Sequence, residues 1–115
     1  MAGYLKEVNI KYDLPVAADA IKRVTYNIRN GQKLGAAAVK LIHGYGSTGQ
    51  GGAIRTEARR YLGELKARGK IRAFIPGEDF SIFNSETRAA LQAHPALRQD
   101  RDLDRQNNGI TIILL

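Results

Sequence analysis

The sequence predicts a small two-layer α/β sandwich, formed as a single domain by residues 1–115. Two patterns lead to this fold class. Residues 5–12 alternate between apolar and polar side chains, which is typical of a strand with one buried face, and residues 36–42 form a nearly continuous apolar run, which is typical of a strand buried on both faces. After each of these strands, apolar residues recur at helical spacing. A chain of 115 residues can bury one modest core.

Each of the first two strands leads into a predicted amphipathic helix. The apolar side of the first strand carries Val8, Ile10 and Tyr12. A turn at residues 13–15 starts the first helix, and Asn30-Gly31 is its expected stop. The apolar positions of that helix are Ala17, Ala20, Ile21, Val24 and Ile28. The second helix ends at Gly69, and its apolar positions are Ile54, Ala58, Tyr61, Leu62 and Leu65.

The rest of the chain is predicted to hold two further strands and a long connection. Residues 71–75 and 110–115 have the composition of strands, and the polar stretch at 76–109 lies between them as an insertion before the last strand. A short helix inside this insertion can use Asn84 or Ser85 as its N-cap. A connection of this length is normally functional or mobile rather than a simple turn. The order favours a sheet that begins with parallel βαβ units and ends with an antiparallel pair.

The charge of the chain is large and unevenly distributed. The net charge is +7, and residues 1–75 hold 14 Lys and Arg against 5 Asp and Glu, whereas residues 76–115 hold 4 against 6. A basic body of this kind indicates a polyanionic partner, either a nucleic acid or an anionic membrane surface. Because the sequence has no cysteine and no long apolar segment, we expect no disulfide, no thiolate metal site and no membrane span, and a soluble, cytoplasmic protein.

The most informative segment is the glycine-rich loop between the second strand and the second helix. It begins with His43 at the strand end, contains five glycines between positions 44 and 52, and leads into a helix that opens with Arg55. Glycines let the backbone approach a ligand closely, and the free N–H groups of a helix start attract anions, so the loop is a candidate phosphate site. The candidate binding residues are His43, Gly44, Tyr45, Gly46, Gly49, Arg55, Arg59 and Lys11.

Several of these side chains have alternative interpretations. His43 either contacts a phosphate directly or packs at the end of the buried strand with its ring bonded to backbone groups. Tyr45 either stacks on a base or ribose or only shields the loop. The basic residues either bind phosphate or are ordinary solvated charges.

Other motifs for phosphate binding or nucleophilic catalysis do not fit the loop. The spacing Gly44-x-Gly46-x-x-Gly49 matches a dinucleotide fingerprint, but Glu64, about twenty positions on, falls inside a helix rather than at a strand end. No Gly-Lys-Ser/Thr follows, as a P-loop requires, and Ser47 is not in a G-x-S-x-G elbow. These patterns therefore leave a phosphate-binding loop of another kind.

A run of aspartates in the insertion has a spacing that is also found in metal sites. Asp100, Asp102 and Asp104 have the spacing of a calcium loop, but Arg105 occupies the position that needs glycine. Since arginines alternate with the aspartates, the sequence predicts a solvated, self-paired charge run. His94 is expected at the surface.

The glycine loop resembles one known family. The H-G-x-G motif at His43–Gly46, the later glycines and Ile54-Arg55 at the helix start are similar to the motif of the small MutS-related (Smr) domain, in which Leu-Arg opens the helix. Residues 107–115 also resemble the glycine-led last strand of that family. The resemblance covers about residues 7–75 and 107–115. It implies a βαβαββ fold similar to the C-terminal domain of translation initiation factor three.

The resemblance also implies nucleic-acid binding, with nicking or cleavage of DNA or RNA in some members, and a role in DNA repair, recombination or RNA metabolism is expected from it. The family motif L-D-x-H on the first strand is linked to cleavage, and here Asn9 and Lys11 occupy its acidic and histidine positions. Three functions follow as hypotheses: a nucleic-acid-binding domain; an endonuclease with His43 as general acid or base and Mg²⁺ or Mn²⁺ as metal; and an adaptor that docks a protein through residues 76–109. The adaptor would use a strip formed by Phe80, Ile82 and Phe83, although these side chains could instead pack on the sheet edge.

Overall fold

The computed structural model describes residues 4–13, 15–45 and 49–115, with side chains in the second helix from Gly52 onward. It is a small α/β domain with a four-stranded mixed sheet and three helices. The elements are β1 (Leu5–Asn9), α1 (Ala17–Lys33), β2 (Ala38–Ile42), α2 (Gly49–Ala67), β3 (Ala73–Pro76), α3 (Ser85–Ala93) and β4 (Ile110–Leu114), with short 3₁₀ helices at Gly77–Asp79 and Pro95–Gln99. Among the described helices, none is both long and apolar enough to cross a membrane.

The strands lie in the order β1-β2-β4-β3. β1 is parallel to β2, and β4 is antiparallel to both β2 and β3, which confirms the predicted change from parallel to antiparallel pairing. Since β1, β2 and β3 point the same way, their carboxyl ends share one edge of the sheet with the start of β4. We call this the carboxyl edge; the described residues that form it lie at 10–13, 43–45, 77–79 and 107–109.

One face of the sheet is covered by α1 and α2. Both helices present their apolar residues to the sheet, and the core between them is fully enclosed, with Val39 and Leu41 of β2 at 0% exposure. The other buried members of this core include Ile10, Ala20, Val24, Ile28, Ile54, Ala58, Leu62 and Ile113. The helical periodicity seen in the sequence is therefore confirmed.

The opposite face is covered as well, so the prediction of only two layers is wrong. Residues 77–109 fold back across the sheet and bury Phe80, Leu91 and Leu97 against it. The strand residues beneath them are Ala38, Ile75, Ile110 and Ile112. The segment looked like a polar insertion because only a few of its residues are apolar, but those few meet a sheet face that no other described segment covers. Asn84 is the N-cap of α3, as predicted, and its side chain accepts a hydrogen bond from the Thr87 amide at 2.9 Å.

Three element boundaries differ from the predictions. β1 ends at Asn9, whose side chain accepts the Lys11 amide at 2.9 Å, so Tyr12 leaves the strand and is 68% exposed. α1 does not stop at Gly31; that glycine is buried inside the helix, where a Cβ would lie 3.1 Å from Leu115 and 3.3 Å from Val39. α2 begins already at Gly49, so part of the glycine-rich segment is helical rather than loop.

Candidate nucleic-acid interface

The carboxyl edge brings Lys11 and the glycine loop together. Gly44 has a positive φ of 77°, and a Cβ built on it would lie 3.2 Å from Cδ of Lys11 and 3.7 Å from its Nζ. Its amide donates to the Gly109 carbonyl at 2.9 Å, as the His43 amide does at 3.0 Å. The predicted need for glycine at position 44 is therefore met, and a cationic side chain lies directly over its backbone.

His43 is enclosed beneath this loop. Its ring is 0% exposed, with Nδ1 2.9 Å from the Gly44 carbonyl oxygen and Nε2 2.8 Å from Oγ1 of Thr111. A carbonyl can only accept, so Nδ1 carries the proton, and the Thr111 hydroxyl donates to Nε2. The ring thus has both nitrogens bonded within the protein. Direct phosphate contact by this ring and its use as a general acid or base stay predictions.

The environment of His43 favours the neutral ring. The pKa of His43 is lowered from 6.5 to about 4, chiefly by burial and also by the positive charges of Arg59 and Arg55, while the Gly44 carbonyl acts in the opposite direction. Protonation of the ring would also make Nε2 a donor, so that it could no longer accept the hydrogen bond from the Thr111 hydroxyl. His43 therefore serves as an uncharged link between β2, the loop and β4 at neutral pH.

This environment leads to a prediction about pH. The unfolded chain takes up the His43 proton near pH 6.5, and the folded protein does so only near pH 4, so stability is complete above pH 6.5 and is lost as the pH falls towards 4. The expected loss from this group is about 3 kcal/mol. Urea unfolding at a series of pH values measures it, and His43→Gln should flatten the slope in that window. An equal slope in the variant would contradict a buried neutral ring.

Arg59 lies beside His43 but is held by protein groups. Its guanidinium binds both carboxylate oxygens of Glu78, at 2.8 and 2.7 Å, and its Nε donates to the Thr111 hydroxyl at 3.2 Å. The side-chain bond from Arg59 holds the pKa of Glu78 below its usual range despite partial burial. A phosphate role for Arg59 stays a prediction; in this geometry the side chain joins α2 to the ends of β3 and β4.

The other predicted residues that the structure describes lie around the same edge. Arg55 is half-buried in the second turn of α2 and makes no hydrogen bond or ion pair with any described residue. Tyr45 is 62% exposed. Gly49 is the first residue of α2, and Gly46 lies outside the described residues. Within the described chain, the structure therefore brings Lys11, Gly44 and the start of α2 to one edge.

The sequence analysis missed a buried charge cluster around Lys40. This lysine is 0% exposed at the middle of β2, and its ammonium contacts Asp100 at 2.9 Å, Asp102, and Glu7 at 3.5 Å. Burial lowers the pKa of Lys40, but the bonds to Asp102 and Asp100 outweigh it and raise the pKa above its usual value. The predicted solvated, self-paired run is wrong for these two aspartates, because β2 supplies their cation. The signal was a single lysine within an otherwise apolar strand.

The predicted apolar strip within residues 76–109 is divided between the core and the surface. Phe80 is 0% exposed and belongs to the core, whereas Ile82 is 45% and Phe83 is 85% exposed, so the three do not form one strip. Asp104 accepts the Ile82 amide at 2.9 Å. Within the described ranges, no group of three or more His, Cys, Asp or Glu residues could hold a metal ion.

Comparisons with family models, with characterised proteins and with solved structures find no match for this chain. The resemblance to the Smr domain therefore rests on the sequence patterns alone.

Proposed function

We propose that the domain binds nucleic acid at the carboxyl edge, with the phosphate backbone held by Lys11, Gly44, Arg55 and the first turn of α2. The observation that carries this proposal is the position of Lys11 over the positive-φ backbone of Gly44. Because residue 44 has no side chain, Lys11 can pack against the loop backbone, which places its positive charge at this edge.

The electrostatics of the edge support an anionic ligand. Glu78 is the acidic group that lies nearest to the His43 and Arg59 pair, and Arg59 neutralises it through two hydrogen bonds. Lys11 and Arg55 form no close ion pair with a described residue, although the charge of Arg55 helps to lower the pKa of Glu78, so both cations can face a ligand. The dipole of α2, whose N-terminus opens onto this edge, adds to that positive potential.

Aromatic groups at the edge suit a nucleotide rather than a bare anion. Tyr12 and Tyr45 are both more than half exposed, and an exposed aromatic ring can stack on a base. The two tyrosine rings would supply contacts that phosphate alone does not use.

In this proposal His43 and Arg59 are positioning residues. His43 fixes the Gly44 carbonyl and Thr111, and Arg59 fixes Thr111 and Glu78, so that the loop and the start of β4 keep their geometry. A nuclease would need a base that reaches the attacking water. The enclosed His43 ring offers no such surface, so the proposal is binding without assigned cleavage.

Substitution of the two edge cations tests the proposal. Lys11→Gln/Arg55→Gln is expected to weaken binding of a fluorescent single-stranded oligonucleotide at least tenfold, because hydrogen bonds to charged groups contribute about 1.5–3 kcal/mol each. Fluorescence anisotropy measures the change. The charge-matched control is Lys66→Gln/Arg98→Gln, which removes two exposed cations away from the edge. Equal weakening by both double variants would show that only net charge matters and would overturn the assigned site.

A further inference from the structure

The positive charge of the protein is concentrated on one face of the sheet. Residues 17–33 and 49–70, which contain α1, α2 and the turn that follows α2, carry ten Lys and Arg against three Asp and Glu. That surplus of seven equals the net charge of the whole chain. Residues 77–109, on the opposite face, carry four Lys and Arg against six Asp and Glu. The sheet therefore separates a basic layer from a mildly acidic one.

The basic layer contains a groove between α1 and α2. Its volume is about 340 Å³, and its polar lining consists of Thr25, Arg29, Gln32, Tyr61, Arg68 and Lys70. Two hydrogen bonds join its walls: the Thr25 and Tyr61 hydroxyls lie 2.6 Å apart, and the Gln32 side chain donates to the Lys70 carbonyl at 3.1 Å. The groove is therefore a preformed feature, tied across both helices.

The three cations of this groove have no acidic partner among the described residues, and no carboxylate lines it. The two glutamates of α2, Glu57 and Glu64, both bond to Arg60. The apolar floor is almost inaccessible, since Ile28 is 5% and Leu65 is 9% exposed. A protein or membrane partner would need apolar surface to bury, so the groove suits a polyanion better.

A second shallow depression continues the groove along α1. It shares Thr25 and Arg29 with the groove and adds Lys22 and Tyr26. Tyr26 is 65% exposed, so its ring is open to solvent next to the cations. A positively charged track with an exposed aromatic ring is the arrangement that binds single-stranded nucleic acid without sequence preference.

We propose that the groove and Tyr26 form a second nucleic-acid contact, which holds another part of the same single strand that the carboxyl edge binds. This inference rests on the proposed function, because it extends that binding site. The helices run from the carboxyl edge to the opposite end of the domain. Arg68 lies thirteen positions after Arg55, which corresponds to roughly 20 Å along the axis of α2. A single nucleic-acid strand can therefore reach both contacts only if it crosses the layer formed by α1 and α2.

An NMR titration with oligothymidylate separates the two sites. Changes in backbone amide chemical shift are expected both at the edge and at residues 25–32 and 61–70. Shifts at the edge alone would overturn the second contact and leave the proposed function standing. Shifts at the groove alone would overturn the edge assignment but support the groove, and an absence of shifts at both would overturn both proposals.

Variants of the groove give a second, quantitative test. Arg29→Gln/Arg68→Gln/Lys70→Gln should reduce the slope of log affinity against log salt by about 2, since each phosphate contact on a single strand contributes about 0.7. Arg98→Gln, on the acidic face, is the control and should leave the slope unchanged. Tyr26→Leu should weaken oligothymidylate binding about fivefold and leave the affinity for inorganic polyphosphate unchanged. If Tyr26→Leu has no effect and polyphosphate competes as well as the oligonucleotide, the groove is not a nucleic-acid site.

Discussion

Replacing Lys40 with methionine is expected to lower the free energy of unfolding by about 3–5 kcal/mol. The ammonium of Lys40 is the cation that neutralises Asp100 and Asp102 beneath the segment that covers the sheet. Methionine fills a similar volume but leaves both carboxylates without their cation in a poorly solvated place. Chemical denaturation of the variant measures the loss, and Lys66→Met, at an exposed position of α2, is the control and should change stability by less than about 0.5 kcal/mol.

A second variant shows whether the loss comes from unpaired charge. Lys40→Met/Asp100→Asn/Asp102→Asn removes the whole cluster and should recover much of the lost stability, because a buried ion pair is worth little more than apolar packing once both partners are gone. If Lys40→Met costs less than 1 kcal/mol, or if the triple variant is no more stable than Lys40→Met, the ionic cluster does not hold this layer to the sheet.

Replacing Gly77 with alanine is expected to destabilise the protein by about 3 kcal/mol or more. A Cβ at this position would lie 1.9 Å from the Asn107 carbonyl oxygen, 2.6 Å from Cγ1 of Ile110 and 2.8 Å from its carbonyl oxygen. Two of these three atoms are backbone atoms, so a side-chain rotation cannot relieve the overlap. The two backbone segments would have to move apart where the end of β3 meets the start of β4, next to the Arg59 and Glu78 pair.

Gly63 is the matched control for this substitution. It is exposed in α2, and a Cβ there would meet no atom within 4 Å, so Gly63→Ala should stabilise the helix by up to about 1 kcal/mol. Thermal unfolding of the two variants should therefore shift in opposite directions. Similar behaviour of both would contradict the close approach of the chain at Gly77.

Much of the fold could be predicted from local patterns. The apolar run at β2 predicted a strand buried on both faces, and helical spacing in α1 and α2 predicted their common core, because a period of apolar residues reflects which face is buried. The end of β1 could not be predicted, since Tyr12 continues the alternation and the strand stops where the Asn9 side chain binds the backbone of Lys11. The third layer was missed because its few apolar residues, such as Phe80, are widely spaced.

Only the part of the candidate site that depends on local sequence could be predicted. The glycine at position 44 follows from the loop composition, and the position of Lys11 follows from the end of the first strand. The enclosure of His43 and the pairing of Arg59 with Glu78 depend on residues far apart in sequence, namely Thr111 and the end of β3, so no local pattern could show them. The same is true of Lys40, whose aspartate partners lie about 60 positions further along the chain.

The salt dependence of oligonucleotide binding tests the central claim most directly. Affinity for a single-stranded oligonucleotide is measured by fluorescence anisotropy over a range of salt concentrations, for the wild-type chain and for Lys11→Gln/Arg55→Gln. We expect log affinity to fall linearly with log salt, and the slope to be smaller by about 1.4 in the double variant, since two phosphate contacts are lost. Binding that does not depend on salt, or an unchanged slope in the variant, would contradict phosphate binding at the carboxyl edge.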